Sequence, residues 1–456
     1  MNTLAASPPP SLQDGGARAA IAAVASTFVE FDADVVSADP LGWPGYPEQL
    51  GRARARSGEP EAVICGDARI GRADAVVIAF DFRFIGGSIG EATGQRITDA
   101  FARATRARRP IVSLVTSGGC RMQEGLRSLV QMQHIAAAAH RAREAGIAHV
   151  SVLRSPTTGG LWASLAAPAD IILALPNATV AFAGPRVRAP AADDTQPFTA
   201  EAKAAHGQVD AIVNQDELPA TLALLLELLT AGARNTPAAP EVPAALGRTD
   251  LPPDGWTAVQ RARAPQRPRA PAYLDDHFDA RLTLAGDRAG GHDHGMLCGI
   301  GRHQGQTIAY AAQAGTANTP AGFRTAARLI RLADRLNLPI LTLIDTPGAA
   351  NDSAAEQAGI GPAIAELLAA VAAARVPITT LVIGEGGSGG ALALAAPSNL
   401  WMTPDSYFAV IPPEPATAIL KQPSDHAPAT AARLRLRPQE LVELRIARGI
   451  ATARSA

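Results

Sequence analysis

The chain has 456 residues, a mass of 46.9 kDa and a hydrophobic fraction of 47%, enough for two or three domains of about 150 residues with real cores. Its 41 basic and 42 acidic side chains leave a formal charge of −1 and a pI near 6.8, which argues against nucleic acid or an anionic membrane as the main partner. Three scattered cysteines, Cys65, Cys120 and Cys298, exclude a disulfide framework and a CxxC zinc ribbon. No run reaches the ~18 apolar residues of a membrane helix.

Residues 1–16 are rich in Ala, Ser and Pro, with Pro8-Pro9-Pro10 and no basic stretch before an apolar core. They are expected to be disordered and not a secretory signal, which predicts a cytoplasmic protein. From residue 17 to 230, short β-branched runs such as Ala75–Ala79 and Ile111–Val115 alternate with Ala/Leu-rich helical stretches. Between 231 and 271 the sequence turns Pro-, Ala- and Arg-rich, with Pro237, Pro240, Pro243, Pro252, Pro253, Pro265, Pro268 and Pro271. That stretch is expected to be a linker with short ordered pieces. Alternation resumes in 272–456, with strand-like runs at Ile340–Ile344 and Ile378–Ile383. The pattern predicts two α/β domains, each built around a parallel sheet. The charged fraction is only 18%, which points to surface covered in an assembly.

The two halves repeat one another. At a shift of 229 positions Pro110 falls on Pro339, Ser117-Gly118-Gly119 on Thr346-Pro347-Gly348, Gly160 on Gly389 and Ala166-Ala167-Pro168 on Ala395-Ala396-Pro397. A constant offset over about sixty residues exceeds chance and indicates an internal duplication.

Four glycine turns follow apolar runs and precede helical segments: Gly86-Gly87-Ser88-Ile89-Gly90, Ser117-Gly118-Gly119-Cys120, Thr158-Gly159-Gly160 and Glu385-Gly386-Gly387-Ser388-Gly389-Gly390. A strand ending in Gly-Gly at a helix start aims several N–H groups one way, which suits a phosphate or an oxyanion. None of them reads GxxxxGK[ST], and neither Lys203 nor Lys421 lies near one. Oxyanion stabilisation on a carbonyl or thioester is the better fit.

These residues are recognisable. Phe80–Gly90, Ser117–Gly125 and Phe182-Ala183-Gly184-Pro185-Arg186-Val187 resemble the β subunit of bacterial acetyl-CoA carboxylase carboxyltransferase, and Leu284–Arg288, Ile344–Ala349 and Val382–Ala393 resemble its α subunit. The chain resembles a β–α fusion over roughly residues 20–451. The resemblance implies two crotonase-like (ClpP/crotonase) domains of repeated ββα units. It implies an enzyme that moves a carboxyl group from carboxybiotin, on a separate carrier protein charged by a separate biotin carboxylase, to the α-carbon of acetyl-CoA or another short acyl-CoA. The product is malonyl-CoA, of the kind used in fatty acid or polyketide synthesis. Gly118 and Gly119 would offer amides to the thioester oxygen, and Gly390 and Ala391 to the biotin ureido oxygen. Gly86, Gly87, Ser88, Cys120, Arg121, Gly159 and Gly160 would lie on the CoA side, and Gly386, Gly387, Ser388 and Gly389 on the biotin side. A homodimer or higher homo-oligomer is implied, with CoA and biotin domains facing each other across a dimer interface. No metal is expected.

The sequence also departs from the family. It has no four-cysteine zinc ribbon, and Gln313–Asn318 replaces a longer basic loop. Pro415 stands where the α subunit has Gly, and Cys120 where the β subunit has Ala. Cys120 is read as a small apolar filler rather than a nucleophile. His292-Asp293-His294 with His303 reads as a solvated loop rather than a metal site. Asp345 is read as a turn or cap residue before an acid/base group, Glu385 stays open between those roles, and helix-dipole pairing explains Glu124 as well as substrate contact does. The same enolate-stabilising site would also serve an acyl-CoA or acyl-carrier-protein decarboxylase, and a non-catalytic scaffold is the alternative from a different class.

Overall fold

The structure, a computed structural model, describes residues 16–184, 196–234 and 237–453. The stretch expected to be disordered lies outside them except for Gly16, which is buried and opens a helix over Ala17–Val24. Pro185, Arg186 and Val187 of the third β-like motif also lie outside them. The chain divides into two compact units, one ending at Thr230 and the other starting at Ala231.

The first unit carries β1 (Thr27–Phe31), β2 (Val63–Ile70), β3 (Ala73–Phe80), β4 (Ile111–Ser117), β5 (His149–Thr158), β6 (Ile171–Ala174), β7 (Val180–Ala181) and β8 (Ala211–Ile212). They form one sheet in the order β1-β2-β3-β4-β5-β6-β8, with β7 paired to β5. β1, β2 and β3 are antiparallel neighbours, and from β3 onward the pairs are parallel. Every residue of β4 is buried, as befits a parallel strand covered on both faces. The helix Glu91–Ala107 turns Ile97, Ala100, Phe101 and Ala104 inward, where they meet Ile135, Ala138 and Ala142 of the helix Gln131–Glu144 and the strands in one core.

The second unit repeats this plan with β9 (Ala280–Leu284), β10 (Met296–His303), β11 (Gln306–Gln313), β12 (Ile340–Thr346), β13 (Ile378–Gly387), β14 (Leu400–Met402), β15 (Tyr407–Ala409) and β16 (Gly449–Ile450). Its order is β16-β14-β13-β12-β11-β10-β9, with β15 paired to β13. β12, β13 and the helix Ile360–Ala373 begin 229 positions after β4, β5 and the helix Gln131–Glu144. The β10–β11 hairpin runs 233 positions after β2–β3. Two crotonase-type α/β domains related by duplication account for the repeat seen in the sequence.

The Pro-rich stretch is not a free connector, which corrects the expectation of a linker over 231–271. Its prolines prevent long regular elements but not packing. Ala245 is buried in the core of the second unit with Val242 and Leu246 against it, and its amide donates to Thr452 O at 3.0 Å. Asp254 caps a helix over Gly255–Arg263, accepting from Thr257 N at 2.8 Å, and Ala258, Val259 and Ala262 of that helix pack beside Tyr407.

Candidate active site

In each unit the two central parallel strands end in turns that touch, and the β4–β5 and β12–β13 ladders both slip register there. In the first unit Gly119 (φ +114) follows β4 and Gly159 (φ +73) follows β5. A Cβ on Gly159 would lie 2.8 Å from Gly119 Cα, so only glycine allows this approach. The Gly118 amide donates to Gly86 O at 2.8 Å, the Gly119 amide to Ser117 Oγ at 3.0 Å, and the Gly159 amide to Phe182 O at 2.9 Å. Gly86 and Gly87 therefore buttress the corner from behind; a Cβ on Gly87 would sit 2.4 Å from Thr116 O. Gly160 packs on Met132, which also lies against the Cys120 thiol. The expected CoA-side glycines thus share one corner, but in this structure the Gly118 amide is already taken by Gly86.

Arg121 requires a correction. It is fully buried, pairs with Glu61 at 2.6 Å and Glu124 at 3.2 Å, and donates to Ser88 O at 2.8 Å. Its guanidinium is the cation of an internal cluster and is enclosed by its partners. Burial works against the charged forms, yet the pairing wins: Glu61 is held below the usual carboxylate range and Arg121 above its ordinary value. Glu124 accepts from Tyr46 Oη and from the Glu91 amide, both at 2.5 Å, which ties it to the start of the helix Glu91–Ala107. Ser88 belongs to the same cluster, its Oγ accepting from Arg121 Nε at 3.3 Å. Cys120 is half-buried and burial raises its thiol pKa, the opposite of activation.

In the second unit Gly348 (φ +144) follows β12, with its amide on Thr346 Oγ1 at 3.1 Å, as Gly119 does on Ser117. Ser388 takes φ +60 at the end of β13, where the first unit has Gly159. A Cβ on Gly387 would meet Pro347 O at 2.0 Å, and one on Gly390 would meet Ala349 N at 2.5 Å. Gly386 is needed for Phe408, which fills the place of its side chain, whereas nothing lies within 4 Å of a Cβ on Gly389. The amides of Ser388, Gly389 and Gly390 lie in the first turn of the helix Ser388–Leu392, where N–H groups have no acceptor within the helix, and Ala391 follows them.

The arginines of the Pro-rich stretch hold this second corner, and sequence reasoning missed them. Arg267 Nη2 lies 2.8 Å from both oxygens of the buried Asp345, Arg269 Nη1 is 3.1 Å away, and the Glu385 amide donates to Asp345 at 3.1 Å. Asp345 is an ion-pair anchor, which corrects its reading as a cap. Glu385 accepts from Arg263 Nε and Tyr407 Oη, each at 2.8 Å. Arg263 also reaches Glu414, just before Pro415. The available signal was the density of arginine among the prolines at 261–269. Asp293 is occupied too: it accepts from the amides of Gly295 and Thr319 at 2.8 Å each, while the His292 and His294 ring centroids lie 4.3 Å apart. Among the described residues no group of three or more His, Cys, Asp or Glu is placed to hold a metal. A cavity of about 530 Å³ lined by Glu241, His277, His303 and Trp401 belongs to the second unit but does not include its glycine corner.

Paired glycine corners on a duplicated fold of this kind define an enzyme of the crotonase type. Family models match both halves: a carboxyl transferase domain over residues 49–239, and an acetyl-coenzyme A carboxylase carboxyltransferase-like domain over 252–453. The acetyl-coenzyme A carboxylase carboxyl transferase subunits beta/alpha of Salinispora arenicola are 38% identical, covering 94% of this chain and 81% of that one. A probable biotin-dependent acyl-coenzyme A carboxylase beta3 subunit of Mycobacterium bovis is 34% identical over 91% and 84%. Among solved structures the transcarboxylase 12S hexamer has a TM-score of 0.79 at 20% identity, covering 97% of this chain and 87% of that one, a likeness of fold. The chain belongs to the acetyl-CoA carboxylase carboxyl transferase family, with β-type and α-type domains in one polypeptide.

Proposed function

We propose that this carboxyltransferase of a biotin-dependent acyl-CoA carboxylase acts on acetyl-CoA in the cytoplasm and makes malonyl-CoA, taking the carboxyl group from biotin on a separate carrier protein. The observation that carries the reading is the glycine corner in each unit. In the second, the Ser388, Gly389 and Gly390 amides open a helix and lack partners within it. In the first, the Gly118, Gly119 and Gly159 amides would exchange their internal acceptors for the thioester oxygen. Asp345 and Glu385 are already engaged in ion pairs with Arg267 and Arg263. Carboxybiotin supplies CO₂ and, after releasing it, a base for the α-proton. The first-unit corner, Gly118-Gly119 with Gly159-Gly160, would hold the thioester oxygen as negative charge grows on it. The second corner, through Gly390 and Ala391, would hold the ureido oxygen, and the open flank of Gly389 leaves room for a ring. One such donor is worth about 2.7–4 kcal/mol of barrier.

A homo-oligomeric assembly belongs to the same proposal. Met122 and Leu126, beside the first corner, are 67% and 70% exposed, and Val410 and Ile419 of the second unit 73% and 68%. Apolar side chains this exposed favour covered surfaces. The test is incubation of the pure protein with malonyl-CoA and biocytin, following CO₂ and acetyl-CoA, with methylmalonyl-CoA in parallel. Biocytin-dependent release from malonyl-CoA supports the reading. Turnover without biocytin points to a decarboxylase, preference for methylmalonyl-CoA overturns the acetyl assignment, and no turnover points to a scaffold.

A further inference from the structure

The two units differ where they ought to match. Met296 pairs with Gln313 in β10–β11 as Val63 pairs with Phe80 in β2–β3, so Gln313 and Phe80 hold equivalent places. The bridge Asn318–Ala349 likewise repeats Ile89–Cys120. Gln313, Phe80, Asn318 and Ile89 all have zero exposure. The second copy therefore buries two amides where the first buries a phenyl ring and an isoleucine. Packing does not demand the exchange, and burying an incompletely paired amide is costly. Gln313 Oε1 and Asn318 Oδ1 are without a hydrogen-bond partner.

Gln313 spends its one clear bond on the glycine corner: its Nε2 donates to Gly390 O at 3.0 Å. That carbonyl is passed over by the local helix, since the Ala393 amide goes to Gly389 O and the Leu394 amide to Ala391 O. Gly390 C=O and Ala391 N–H belong to one peptide plane, and in a trans peptide they point in opposite directions. Holding the oxygen fixes the aim of the hydrogen. The bond lies in a buried, weakly screened setting and polarises the peptide toward stronger donation by the N–H.

We infer that Gln313 is a positioning residue for the Ala391 amide, setting the orientation of the biotin-side donor without touching the ligand. This rests on the proposed role of that corner. The test uses Gln313→Met, which keeps length and apolar volume but cannot donate, with Gln313→Leu as a second variant. An apolar residue already fits the equivalent place, so the melting temperature stays level or rises. The kcat for biocytin-dependent decarboxylation of malonyl-CoA falls about a hundred-fold, the loss expected of a group misplaced by about 1 Å, with the KM for malonyl-CoA unchanged. Hydrogen exchange in the peptide spanning Ser388–Leu394 accelerates while the rest of the chain does not change. Wild-type kcat with wild-type exchange overturns the inference, as does a loss of activity that tracks a falling melting temperature in both variants. Wild-type protein without biocytin-dependent turnover defeats the functional reading instead, and the exchange measurement then decides the role of Gln313 alone.

Discussion

Gly389 and Gly390 are chain neighbours in one helical turn, yet adding a methyl group to each has opposite consequences. At Gly389 the new Cβ meets nothing within 4 Å. Alanine there is favoured over glycine by about 1 kcal/mol of helix propensity, a rise of about 2–4 °C in the melting of a unit this size. At Gly390 it lies 2.5 Å from Ala349 N and 2.9 Å from Gly348 C. Both are backbone atoms with no rotamer to yield, and ordinary contact needs about 3.5 Å. The corner must therefore open by about 1 Å, at an overpacking cost of about 1–3 kcal/mol. The same movement displaces the donors and is expected to lower kcat about a hundred-fold. Thermal denaturation and biocytin-dependent decarboxylation of Gly389→Ala and Gly390→Ala check this. Gly389→Ala melts higher and raises the KM for biocytin, because the methyl group enters the open flank; Gly390→Ala melts lower and loses turnover. Wild-type kcat in a folded Gly390→Ala protein would refute the argument.

Other outcomes follow from the buried polar groups. His149 shares a hydrogen bond with Ser113 at 2.9 Å, and burial lowers its pKa from 6.5 to about 4, Asp170 opposing. The unfolded imidazole takes a proton near pH 6.5 and the folded one only near pH 4. Stability is therefore lost as pH falls through that window, by about 3 kcal/mol, and urea midpoints of wild type and His149→Asn between pH 7 and 4 will diverge in slope. Arg121→Met strands Glu61 and Glu124 without their cation and costs about 3–5 kcal/mol in denaturant titrations; adding Glu61→Gln recovers part of it. Cys120→Ala keeps turnover, and iodoacetamide labels the wild-type thiol slowly because burial raises its pKa; rapid inactivation prevented by acyl-CoA contradicts the filler role.

Much of this molecule is legible in its sequence. The 229-residue repeat, the apolar strand runs and the glycine pairs are local properties of the chain, and they located β4, β5, β12, β13 and the corners behind them. What stayed hidden depends on contacts across long separations. The resemblance puts Arg121 on the CoA side, but its place is decided by Glu61, sixty positions earlier. Composition made residues 231–271 look like a linker, although Arg263 and Arg267 are paired with Glu385 and Asp345 more than a hundred and nearly eighty positions away.

Periodicity and turn chemistry act over a few residues, so the sequence by itself determined the strands, the helices, the duplication and where the backbone turns sharply. Which amides remain available and which charges are neutralised depends on what the fold brings up behind each turn. Desolvation and hydrogen bonding act on spatial neighbours irrespective of chain distance, so only the tertiary structure decided that Gly86 occupies the Gly118 amide and that Gln313 holds the carbonyl of Gly390.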